Sequence, residues 1–247
     1  MVTATGDPTT NYCTSEDTCM QTYTASICSA NAASKSVSLT DARDGQIYTA
    51  RYINGNCWMT QDLRFIGSPT DISGTMTLNS TTSNIPSTYT EESPLVLTYY
   101  DPTSSYCGRT NGNGYIYPCA KFGSNSYTDG NTVWYNYAAA SAGTTVGASN
   151  SDPTVYDICP AGWRLPTGSE GQSILGYSSV FNVHYGGGYD NGAPWLAGQR
   201  AYWWTSTLYS SDPTIARNAF RYVNGSLSMD YNGPRSFSWL VRCIRSS

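Results

Sequence analysis

The sequence predicts an α+β domain of short antiparallel strands and two short helices, stapled by disulfides. Three observations carry that expectation. Apolar residues alternate with period two beside hairpin turn signals, and the helix-forming runs are brief and sharply ended. The eight cysteines are even in number and contain no Cys-x-x-Cys pair, which favours bridges over zinc and an oxidising compartment over the cytoplasm.

Taken in order, residues 1–36 are rich in Thr, Ser and Ala and lack sustained periodicity. They read as an extended or short helical lead-in, stapled rather than packed, with Cys13 and Cys19 near enough to close a small loop. The main domain is expected over 37–247. In VSLTDARDGQIYTARYINGNCWMTQDL, Asp44-Gly45 marks a turn, and Ile47, Thr49, Arg51 and Ile53 alternate with Tyr48, Ala50 and Tyr52. Asn54-Gly55 suits a type I′ turn, which needs positive φ at both central residues, so Cys57-Trp58-Met59 begins a return strand.

Residues 67–90 read as a loop or insertion, and Leu95–Tyr100 as a short strand. Cys107 and Cys119 bracket a turn-rich stretch and are expected to pair across it. Tyr137–Ala142 is the best helix-forming run, ended by Gly143. Cys159–Trp163 reads as a turn, and Thr167 with Glu170 fits a capping box that opens a short helix. Residues 185–192 read as a glycine-rich loop before the Trp203-Trp204 strand.

The segment Tyr202–Arg245 organises the rest. Its ends, YWWTST and LVRCIR, read as well-packed strands, and between them runs a polar stretch dotted with aromatics. Rigid ends around Tyr, Ser, Asn and Gly suit a displayed contact surface, because Tyr gives large area at low entropy cost and the small polar residues adapt.

Composition excludes several classes. Only 12% of residues are charged, the net charge is −4, and no Lys/Arg run exists, so a nucleic-acid surface is not expected. With 21 Tyr and 7 Trp the chain can still build a core of aromatic character and is not expected to be disordered. The polar opening MVTATGDPTT carries neither a signal peptide nor a spanning segment. The expectation is a native export or anchoring segment removed and replaced by Met1, with no direct membrane insertion.

Five stretches then stand in a telling order: DARDGQIYTARYINGNCWMTQDL, WYNYAAA, ICPAGWRLPTGSE, YWWTST and LVRCI. Together they resemble the Fibrobacter succinogenes major paralogous domain, a bacterial surface module related to the C-type lectin fold. Within that fold the formylglycine-generating-enzyme subgroup is the nearest in structure. The resemblance spans roughly Val37 to Arg245, is poor over 67–130, and leaves out residues 1–36 apart from Cys28. It implies a small central antiparallel sheet with two helices, where the chain ends meet and long irregular loops are displayed beyond. It also implies bridges Cys159–Cys243 and Cys28–Cys57, leaving Cys13–Cys19 and Cys107–Cys119; the count of cysteines by itself leaves other connectivities open. Closing the long loop of the first would contribute about 4 kcal/mol in the chain-entropy model.

Many variable proteins of diversity-generating retroelements share this fold, and the resemblance implies a C-terminal surface rewritten by adenine-directed mutagenesis. Asn codons varied at their adenines cannot yield Trp, Met, Lys, Gln or Glu. Between Leu208 and Phe237 only Met229 belongs to that set, while Trp203, Trp204 and Trp239 would be fixed framework. The implied contact set is Tyr209, Ser210, Ser211, Asp212, Thr214, Phe220, Tyr222, Ser228, Asp230, Tyr231, Pro234, Ser236 and Phe237. Tyr222, Tyr231 and Phe237 could equally belong in part to the core, and Arg217 and Arg242 read as framework.

Chemistry finds little footing. The only late cysteines, Cys159 and Cys243, read as structural, so the cysteine-oxidising activity of the enzyme subgroup is not expected. His184 is the single histidine and no G-x-S-x-G elbow exists, so no catalytic residue is assigned. Asp41, Asp44 and Gly45 resemble fragments of a calcium loop, but the D-x-D-x-D-G register is missing and a turn is the simpler reading. No cofactor or metal is expected. The sequence thus points to an extracellular or surface-anchored monomer that binds a protein or glycan ligand, not an enzyme. The alternative is a fixed cell-wall adhesive or glycan-binding module without diversification.

Overall fold

A computed structural model describes residues 12–13, 15–65, 75–77, 96–100, 119–123, 132–141, 157–190, 193–208, 215–223, 226–228, 231–234 and 237–246. The architecture is α+β: short helices among small, mostly antiparallel sheets, crossed by disulfides.

In the lead-in, helix α1 (Ala25–Asn31) starts where the Thr24 hydroxyl accepts the Ile27 N–H. Strands β1 (Val37–Thr40), β2 (Ile47–Ile53) and β3 (Asn56–Met59) form an antiparallel meander. Gly45 (φ +73°) turns the first corner, and Asn54 (φ +46°) with Gly55 (φ +87°) turns the second, as the Asn-Gly pair predicts. Next come β4 (Thr75–Thr77), β5 (Val96–Tyr100), β6 (Cys119–Gly123) and β7 (Thr132–Asn136). Helix α2 (Tyr137–Ala140) is a single turn capped by the Asn136 side chain, shorter than the predicted run to Ala142. Helix α3 (Gly168–Ser173) has the predicted capping box: the Thr167 hydroxyl accepts from the Glu170 N–H, and the Glu170 carboxylate accepts from the Thr167 N–H.

The C-terminal third is richer in strands than predicted. It contains β8 (Gly188–Asp190), β9 (Ala193–Trp195), β10 (Ala201–Leu208), β11 (Ile215–Val223), β12 (Ser226–Ser228), β13 (Tyr231–Pro234), β14 (Ser238–Trp239) and β15 (Ile244–Ser246). The glycine-rich stretch expected as a loop therefore enters a sheet as β8, and the expected 67–90 loop contains β4. Among the described residues three sheets stand where one small sheet was expected. Their orders are β1-β2-β3-β15, then β10-β11-β12 with β13 also on β11, and β4-β5-β6-β7-β14-β8-β9, in which only β5–β6 is parallel.

The C-terminal strand is zipped in place from both sides. Ile244 exchanges backbone bonds with Arg164 at 2.8 Å, and β15 pairs with β3 across Ile244–Trp58. Alternation then sends Val241 and Cys243 into one core cluster and Leu240 and Ile244 into another.

The lead-in corrects its prediction: it is packed as well as stapled. Met20, Tyr23, Cys28 and Ala32 are buried in the same cluster as Tyr48, Trp163 and Trp204. Backbone carbonyls explain this, since Met20 O accepts the Trp163 indole N–H (2.7 Å) and Ala32 O the Tyr52 N–H (3.0 Å). Three expected bridges are present, Cys13–Cys19, Cys28–Cys57 and Cys159–Cys243, with Cα separations of 5.3, 5.9 and 5.8 Å. Cys107 lies outside the described residues, and with it the expected Cys107–Cys119 bridge.

Candidate binding surface

The foundation of the Tyr202–Arg245 segment is β10, buried from Ala201 to Thr207. It shows no apolar/polar alternation because both of its faces are covered. Tyr202 and Trp204 face the larger core cluster, Ala201 and Trp203 the smaller. Its hydroxyl residues are buried with partners: Thr207 Oγ1 accepts the Gly168 N–H (2.9 Å), and the Ser206 N–H donates to Pro166 O (2.9 Å). These bonds fasten β10 to the start of α3.

Each framework tryptophan has a specific seat. Trp203 donates its indole N–H to Asp62 Oδ1 (2.6 Å), and the same oxygen accepts from Arg242 Nε (2.7 Å). The Arg242 guanidinium lies 4.7 Å from the Trp203 ring centre and also donates to Asn182 O, so its buried charge is answered on several sides. The framework reading of Arg242 therefore holds. Trp204 donates to Tyr135 O (2.6 Å) and lies 3.9 Å from Trp239, centre to centre. Trp239 in turn stacks on Tyr202 (5.4 Å, 18° between planes), which stacks on Trp195 (5.2 Å, 22°).

This aromatic column leaves no room for a side chain at one position on each of two strands. A Cβ on Gly188 would lie 2.5 Å from Trp239 Cδ1, and one on Gly233 would lie 2.1 Å from Trp239 Cη2. The backbones of β8 and β13 thus press directly on the indole.

The expected contact residues divide accordingly. Tyr209, Ser210, Ser211, Asp212, Thr214, Asp230 and Ser236 lie outside the described residues. Phe220, Tyr222, Ser228, Tyr231 and Pro234 have their backbones in strands, where an irregular loop was expected. In register, Phe220 stands opposite Trp203, Tyr222 opposite Ala201 and Leu227, Ser228 opposite Arg221, Tyr231 opposite Asn218, and Pro234 opposite Ile215. One sheet therefore gathers all five at the backbone level. Phe237 is half-buried, edge-on to Trp195 (5.6 Å) and Trp239 (5.9 Å).

Two supports escaped the sequence reading. Asp62 carries no local pattern, and its role depends on Trp203 and Arg242 arriving from far along the chain. Asp157 is fully buried and accepts the N–H groups of Cys159 (2.9 Å) and Leu165 (2.8 Å), shaping the turn that leads into α3. The D-x-C spacing of an Asx-turn could have flagged it.

The acidic pair near the calcium-like fragment serves the β1–β2 turn. Asp41 accepts from Arg43 with both oxygens, and from Gln21 Nε2 at 2.8 Å. Arg43 is buried, lies 3.7 Å from the Phe65 ring centre, and donates to Ile158 O (2.6 Å). His184 lies half-buried after the Phe181 turn. Among the described residues no three His, Cys, Asp or Glu side chains cluster as metal ligands, and no helix is long and apolar enough to cross a membrane. Comparison of the chain with protein families, curated protein sequences and solved structures gives no match.

Proposed function

We propose that this chain is an extracellular or surface-anchored ligand-binding protein with a C-type lectin-like fold. Its C-terminal surface, between β10 and β14, is diversified by a retroelement and binds a protein or glycan. The observation that carries the reading is the division of labour in Tyr202–Arg245. Trp203, Trp204 and Trp239 are fully buried, with a hydrogen bond, an ion pair or stacked rings around each, while the sequence between Trp204 and Trp239 is rich in Ser, Tyr, Asn and Asp. Such a framework would hold the fold while displayed residues change, because its tryptophans and bridges find their partners within the framework. The disulfides support an oxidising compartment.

The test is to sequence the 3′ end of the gene and its flanks in many cells of one population. A neighbouring near-copy differing only at adenines, with cell-to-cell changes confined to the contact set, is the expected result. An invariant 3′ end with no near-copy would replace this reading by the fixed adhesive module. The half-buried Trp195–Phe237 pair favours that second reading enough to make glycan binding its first assay.

A further inference from the structure

We propose that the β1–β2 turn is a proton-operated latch holding the 12–22 segment on the first hairpin, with the Asp44 carboxyl as its switch. Asp44 Oδ1 accepts the Gln46 N–H (3.0 Å), but Oδ2 is buried and meets no donor. The charged and titratable groups around it are Asp41 and Arg43 in the same turn, Tyr48 on β2, Arg64 just after β3, and Tyr12, whose ring packs on Gly45. Both cations are engaged elsewhere. Arg43 holds Asp41 and Ile158 O, while Arg64 donates from Nη2 to Ile47 O (3.1 Å) and from its backbone to the Tyr48 hydroxyl (3.0 Å). Neither reaches Oδ2.

A buried carboxyl oxygen without a donor favours the neutral acid. Burial, then the neighbouring Asp41, push Asp44 up to about 7, against the opposing pull of Arg43, the Gln46 N–H and Arg64. An unfolded aspartate releases its proton near a pH of about 3.9, so the folded turn holds a proton that the open chain has lost. The latch is therefore firm on the acid side and weakens as pH rises through neutrality. Described residues of the 12–22 segment contact this turn and the end of β1. Met20 N–H donates to Thr40 O (2.9 Å), Gln21 bridges Asp41 and the Ala42 N–H, and Tyr12 covers Gly45. Ionising Asp44 beside Asp41 strains the turn that all of these contacts share.

The test compares wild type with Asp44→Asn, which keeps an acceptor for Gln46, by hydrogen exchange corrected for the intrinsic chemical rate at pH 5 and pH 8. Protection over 12–22 and 41–46 should fall at least severalfold at pH 8 in wild type and stay constant in the variant. Equal protection at both pH values in wild type, or the same loss in the variant, would overturn the proposal. Should the variant not fold, the Asp44 carboxyl carbon can be followed by NMR in wild type. A midpoint near 7 with the 12–22 amides titrating in step supports the latch, and a midpoint below 5 ends it.

Discussion

Buried carboxylates in this protein do opposite things, and the difference lies in their donors. Asp157 receives two backbone N–H groups, so Asp157→Ala should cost about 2–4 kcal/mol, the penalty of two orphaned buried donors. Asp157→Asn keeps one acceptor and should lose roughly half as much by urea unfolding. For Glu170, partial burial opposes ionisation, but the Arg164 fork and the Thr167 N–H outweigh it and hold the carboxyl below its ordinary range. Its contribution is thus present above the unfolded value of about 4.3 and lost as pH falls through the lower folded one. Glu170→Gln should destabilise by about 1 kcal/mol at pH 7, and the gap in melting temperature to wild type should narrow as pH falls through the lowered folded value. Asp44, raised rather than lowered, carries the opposite sign.

At the scale of elements, the strands of the C-terminal sheet differ in what they can accept. Gly233→Ala drives a methyl into Trp239, whose ring is held by Tyr202, Trp204 and the Gly188 backbone and cannot retreat. It should cost about 1–3 kcal/mol and change the near-ultraviolet tryptophan signal. Gly55→Ala meets no atom within 4 Å yet must hold φ at +87°, so only a conformational penalty of about 1–2 kcal/mol is expected, with that signal unchanged. Gly233 should also stay fixed in any diversified repertoire. Among the proposed contact positions, Phe220 and Tyr222, paired in register with buried Trp203 and Ala201, are the ones whose variation is most exposed to framework demands.

For the molecule as a whole, the framework should carry the stability and the connections should not. Trp203→Ala removes a large core side chain and strips Asp62 of a donor, a loss of about 3–5 kcal/mol. Cys243→Ser opens a bridge spanning 84 residues, worth about 4–5 kcal/mol in the chain-entropy model. Replacing Tyr209, Ser210, Ser211 and Asp212 together should instead move the melting temperature by only a few degrees. A collapse of that combined variant in calorimetry would remove the basis for a displayed surface.

Local chemistry determined what was legible from sequence alone. The Asn54-Gly55 turn and the Thr167–Glu170 box each depend on neighbours in the chain, and each stands where the residues point. The bridges Cys28–Cys57 and Cys159–Cys243 came from a resemblance over ordered motifs and are present. What the tertiary structure alone decided is where distant segments meet. Asp62 under Trp203, the lead-in inside the core, β8 pressed on Trp239, and the Asp44 Oδ2 atom buried without a donor all depend on how the fold arranges its segments. Periodicity and spacing describe how a segment treats its own neighbours. They carry no term for a carbonyl, a ring or a carboxylate arriving from a hundred residues away.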